Sequence, residues 1–155
     1  MKIDRHDQAK ILSSPEISRL FTTGLKTKRD ATQRLKPYRT LFGICLFTGC
    51  RVSEALALQT TDIKSGTITL RKSTTKGKLK TRVVDIQVGL AELLAEYQPK
   101  PGALFPGLRG VTERLTRFAV DKILRDTEER VGLVGVSTHS FRRTARTMMP
   151  SAGVP

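Results

Sequence analysis

The chain has 155 residues, enough for one domain with a real core, and carries 28 Lys+Arg against 14 Asp+Glu, a net charge of +14 at pH 7. That excess is spread along the sequence, which implies an anionic partner, most simply nucleic acid, while 5% aromatics and no Trp disfavour a stacking platform for single strands. No signal peptide, apolar span or long amphipathic cationic helix is evident, which argues for a cytoplasmic protein with no membrane role.

Residues 1 to 12 are polar and read as a disordered lead-in. Ser13-Ser14-Pro15-Glu16 then has the form of a helix start: Ser13 as cap, Pro15 in the first turn, and Glu16 three residues on to complete a capping box. This helix is expected to stop near Gly24. A basic connector follows over 25 to 36. From Pro37 a second helix carries Tyr38, Leu41, Phe42, Cys45 and Phe47 on most of its sides and is expected to be the central buried helix. Thr48-Gly49-Cys50 interrupts it, and a short helix runs on from Arg51 or Val52 to about Leu58. Cys45 and Cys50 lie in an apolar stretch and read as buried free thiols. With only His6 and His139, far apart, nothing suggests a zinc site.

Ile68 and Leu70 alternate with polar residues in one strand. Arg82, Val84 and Ile86 alternate with Val83 and Asp85 in another, and a Lys-rich turn joins them as an antiparallel hairpin. Leu90, Leu93, Leu94 and Tyr97 mark a further helix. The Pro/Gly-rich stretch from 99 to 110 is a loop. Leu115, Ala119 and Ile123 start a long helix to about Arg130, and a last helix opens near Ser137 or Thr138 and should stop at Pro150. The expectation is a single domain over 13–155, mainly α with a small antiparallel β-hairpin (α+β).

The last helix is the most informative. His139, Arg142, Arg143 and Arg146 fall at i, i+3, i+4 and i+7, which sets an imidazole and three guanidinium groups on one side, with Phe141, Ala145 and Met149 on another. Clustered cations repel unless an anion or water offsets them. A guanidinium fork fits a phosphate, and an imidazole beside it can move a proton near neutral pH. Arg51 stands where a buried helix breaks at a Gly, and Glu54, three residues on, could fix its orientation.

In combination, Thr48-Gly49-Cys50-Arg51-Val52-Ser53-Glu54, the hairpin with Thr75-Lys76-Gly77, and His139-Ser140-Phe141-Arg142-Arg143-Thr144 resemble the tyrosine recombinase (phage integrase) family, in matching order over nearly the whole chain. The resemblance implies that family's catalytic-domain fold. It further implies that Arg51 and Arg142 bind a scissile phosphate, with Arg143 a weaker candidate for phosphate contact, and that Glu54 supports Arg51. Lys76 would be the general acid toward the leaving 5′-oxygen, with Lys72 and Lys78 as alternatives in the hairpin register. His139 would handle protons. No metal or other cofactor is implied, because fixed guanidinium groups can stabilise the charge that develops on the phosphate.

The family's Leu-Gly-His-type segment and nucleophilic Tyr have no counterpart before Pro155. Tyr38 and Tyr97 are the only tyrosines, and both read as packing residues, so no nucleophile is assigned. The expected partner is duplex DNA, with full-length recombinase protomers as further partners; alone the chain should be monomeric or weakly associated. Its place in the cell is then the cytoplasm, on the nucleoid. The resemblance leaves open a catalytic-domain fragment of a longer enzyme that is unable to cleave alone. It also leaves open a binding module that competes for recombination sites, and the basic composition allows an RNA-associated structural protein.

Overall fold

The computed structural model describes residues 9–25, 34–73, 79–107 and 114–151. The first helix, α1 (Ser14–Ser18), opens with the expected capping box: Glu16 N–H donates to Ser13 Oγ (3.3 Å) and Ser13 N–H donates to Glu16 Oε1 (3.0 Å). It continues as wider π-helical turns over Arg19–Gly24, which end in a bond from Leu25 N–H to the Leu20 carbonyl. The end is tightly packed. A Cβ on Gly24 would lie 2.5 Å from Thr127 Cγ2, so only glycine allows this approach.

Residues 9–12 depart from the lead-in expected of them. Ala9 and Leu12 are buried, Leu12 N–H donates to Thr144 Oγ1 at 2.9 Å, and Lys10 pairs with Glu16. The local sequence is polar, but one leucine with a buried hydroxyl waiting for it is enough to anchor the segment. The rest of the expected lead-in, 1–8, lies outside the described residues, as does most of the basic connector.

α2 (Lys36–Thr48) is the central helix, with Leu41, Phe42, Ile44 and Cys45 buried. It ends at Gly49, whose φ of 73° is the left-handed geometry that glycine adopts freely. α3 (Val52–Leu56) starts directly after it. A 3-10 turn (Thr60–Asp62) leads into a sheet of order β1-β2-β3, made of β1 (Ile63–Lys64), β2 (Thr67–Ser73) and β3 (Leu79–Asp85), all antiparallel. The hairpin was legible from the alternation. The two-residue β1 is too short to show any alternation and was not. Its place is fixed instead by Asp62, which accepts from Gln59 N–H and pairs with Arg71 of β2.

α4 (Val88–Tyr97) packs on α2, where Gly43 lies against Leu93. α5 (Arg117–Val131) is capped by Thr116, stops at Gly132 (φ 75°), and is tied back to the first helical segment through Arg130 Nη2 to the Gly24 carbonyl. α6 (Thr138–Ser151) runs one residue past Pro150, so the proline falls inside its last turn. Phe141 of α6 stacks on Phe42 of α2 (centroids 4.9 Å apart, planes at 13°) and meets Phe21 edge-on (6.1 Å). This aromatic cluster holds α6 against the central helix. Among the described residues no helix is long and apolar enough to cross a membrane.

Candidate nucleic-acid interface

Three chain segments far apart in sequence converge at one cleft of about 300 Å³, lined by Glu54 of α3, Leu70 of β2, Lys80, Thr81 and Arg82 of β3, and Arg142 of α6. Their meeting follows from local geometry. The αL turn at Gly49 reverses the chain out of α2 and sets Arg51 in extended conformation (φ −78°, ψ 152°) as the residue ahead of α3. The Phe42–Phe141 stack brings the next residue, Arg142, to the same corner.

Glu54 secures this corner through the backbone: its Oε1 accepts from Arg51 N–H at 3.0 Å. The sequence reading had the carboxylate orienting Arg51, and the observed bond acts on the main chain, leaving the exposed guanidinium to reach outward. A carboxylate within the first turn of a helix is also favoured by the helix dipole.

Arg142 is half-buried, and its Nε is buried with no hydrogen-bond partner. A buried N–H of a cation normally finds an acceptor. Burial pulls the Arg142 guanidinium below its ordinary pKa. The charges of Arg146 and Arg51 push the same way, Glu54 opposes them, and Arg82 adds a further downward push. The corner is therefore short of negative charge. An anion in the cleft would relieve the repulsion and offer the missing acceptor.

His139 is half-buried in the first turn of α6, three residues ahead of Arg142, and does not itself line the cleft. Arg143 turns away: its Nη1 donates to the Ala9 carbonyl at 2.9 Å, so this arginine, read as a weaker phosphate contact, holds the N-terminal segment. Lys76 and Lys78 lie outside the described residues, and of Lys72 only the backbone, paired with Lys80 in the hairpin, is described. Neither tyrosine lines the cleft. Tyr38 is 3% exposed, with burial raising its pKa and Arg34 lowering it. The Tyr97 hydroxyl donates to the Leu104 carbonyl at 2.6 Å, and burial pushes its pKa up to about 12.

Lys80, read from the sequence as part of the Lys-rich hairpin tip, stands instead within β3 and lines the cleft, and sequence reasoning gave Arg82 no site role. The signal was present: Arg82 shares an alternating row with Val84 and Ile86, so a cation occupies a position in the row that faces the core.

Residues 10–155 match the phage integrase family, and the chain belongs to that family, whose members are the tyrosine recombinases. It is 30% identical, over 98% of its length and 50% of the relative's, to the tyrosine recombinase XerC of Roseiflexus sp. (strain RS-1). The chain spans about half the length of the curated relatives it matches. In fold it is similar to the Tn1549 transposon integrase in complex with circular intermediate DNA (TM-score 0.73, 15% identity, 99% of this chain and 55% of that one). It is likewise similar to the XerH recombinase bound to its palindromic difH substrate in a post-cleavage complex (TM-score 0.69, 20% identity, 94% of this chain and 43% of that one). The fold class read from the sequence, mainly helical with a small antiparallel sheet, is thus the tyrosine recombinase catalytic-domain fold.

Proposed function

We propose that this chain is the DNA-gripping part of a site-specific recombinase catalytic domain, which binds duplex DNA and holds one backbone phosphate between Arg51 and Arg142. The observation that carries the reading is Arg142 at the cleft, its Nε buried without a partner and its guanidinium close enough to Arg51 to feel that charge. In this reading attack on the phosphodiester puts negative charge on the non-bridging oxygens, and fixed guanidinium groups stabilise it. Glu54 positions Arg51 from behind. His139, on the same side of α6 as Arg142, handles a proton at the phosphate, and Lys76 protonates the leaving 5′-oxygen. The family's nucleophile is a tyrosine that forms a 3′-phosphotyrosyl bond, which conserves bond energy for rejoining. Neither Tyr38 nor Tyr97 lines the cleft, which supports the reading that these residues bind without cleaving unless another protomer supplies the tyrosine.

The DNA-bound state of the relatives above supports duplex DNA as the partner, and the basic surface supports it independently. The test is a labelled, nicked suicide duplex. The expected result is salt-sensitive non-covalent binding that is weakened by Arg51→Ala and by Arg142→Ala, with no covalent adduct on a denaturing gel. Tighter binding to structured RNA than to duplex DNA would overturn the reading, and an adduct mapped to Tyr38 or Tyr97 would overturn its non-cleaving part.

A further inference from the structure

β3 carries two cations that no role above uses. Its inward row follows the register of the hairpin, in which Val84 faces Ile68 and Arg82 faces Leu70. Ile68 and Leu70 are both fully buried, and the neighbouring Val83, in the outward row, is 61% exposed. Lys80 and Arg82 therefore continue the row that begins with core residues, two residues apart on one face. The row leaves the core where Leu70 forms part of the cleft lining, and both cations line the same cleft as Arg142. Both are exposed, and among the described residues neither side chain makes a hydrogen bond or ion pair. The nearby carboxylate, Glu54, is engaged with the Arg51 backbone. Elsewhere on the same sheet the protein does pair its cations, as Arg71 does with Asp62. An unpaired arginine and lysine along the same cleft wall as Arg142 concentrate positive charge there, which favours the arrival of a second anion.

We propose that Lys80 and Arg82 hold a second backbone phosphate, next to the one gripped by Arg51 and Arg142, so that β3 fixes the direction in which the DNA strand crosses the cleft. The inference rests on the duplex-DNA reading above. Arg82 offers a two-pronged fork and Lys80 a point charge to the same phosphate. Two neighbouring phosphates define a line where one defines only a point.

Fluorescence anisotropy of the chain with a labelled intact duplex, titrated at several salt concentrations, tests it. Loss of one phosphate contact lowers the slope of log K against log salt by about 0.9. The double variant Lys80→Ala/Arg82→Ala should show that reduction and bind at least tenfold more weakly, with its thermal melting unchanged. Arg82→Lys should keep the slope but lose several-fold in affinity, because the charge remains and the fork is gone. Arg125→Ala, which removes an exposed cation of α5 outside the cleft, should change the slope by much less. If the double variant binds no worse than Arg125→Ala while Arg51→Ala and Arg142→Ala still weaken binding, the second phosphate site is overturned and the first stands. If the unaltered chain shows no salt-dependent duplex binding, both fall together.

Discussion

Gly49 backs directly onto Ala145: a Cβ built on the glycine would lie 3.5 Å from the Ala145 Cβ. One residue ends the central helix two positions before Arg51, and the other lies three positions after Arg142. Two small residues in contact therefore set the separation of the two arginines. Ala145→Leu would wedge the corner apart, at a cost of about 1–3 kcal/mol for overpacking. Gly49→Ala should cost about 1–2 kcal/mol through the left-handed backbone. Urea denaturation measures both losses. Duplex affinity at a temperature where each variant remains folded should fall further than that of a core variant of equal stability, such as Ile44→Val.

Arg142 should trade stability for binding. Its guanidinium is half-buried, crowded by like charges and incompletely bonded. Replacing it with Met keeps much of the stem's packing and removes the repulsion. Thermal melting of Arg142→Met without DNA should match or exceed that of the unaltered chain, while duplex binding falls at least tenfold. A lower melting temperature with unchanged binding would mean that Arg142 serves the fold instead.

The capping box gives a pH signature. Hydrogen bonds from the Ser13 backbone and from Lys10 hold the Glu16 carboxylate down to about 2 from its ordinary 4.5. The unfolded chain therefore binds a proton at higher pH than the folded one, so this contribution is complete above 4.5 and is lost as pH falls toward 2. Glu16→Gln should flatten the stability profile in that window relative to the unaltered chain. Ser13→Ala should cost about 1 kcal/mol at neutral pH. Denaturant midpoints across pH 2 to 6 would check both effects, where pH is the experimental variable.

Cys45 and Cys50 are both buried, and the Cys45 thiol is raised in pKa first by its hydrogen bond to the Cys50 sulfur and then by burial. A thiol-specific reagent should leave both unmodified in the native protein and modify both in denaturant, since only an accessible thiolate reacts. Fast labelling of either in the native state would show that the Gly49 corner opens readily.

The helices were legible because their signals are local. Ser13 and Glu16 mark a start within four residues, Gly49 and Gly132 mark stops, and the row Ile68, Leu70 has a period of two. That Arg51 would lie near enough to Arg142 for their charges to interact was legible only through the family resemblance, since nothing within either segment says that the chain between them folds back. What stayed hidden depended on tertiary partners. The hydroxyl of Thr144 orders Leu12 from across the molecule, and Asp62 fixes a strand too short to have a pattern. Arg143 looks like its neighbour Arg142 in sequence, yet a turn of about 100° along the helix sends it to the Ala9 carbonyl instead of the cleft.

That last pair has a mechanical consequence. Adjacent arginines on α6 are committed to opposite tasks, one facing the cleft and the other clasping Ala9, while Thr144 clasps Leu12. The helix is thus keyed against rotation about its own axis: swinging Arg142 away from the cleft would tear two bonds made by the residues that follow it. A pull on the segment ahead of Leu12 would act as torque on the arginine proposed to grip the phosphate.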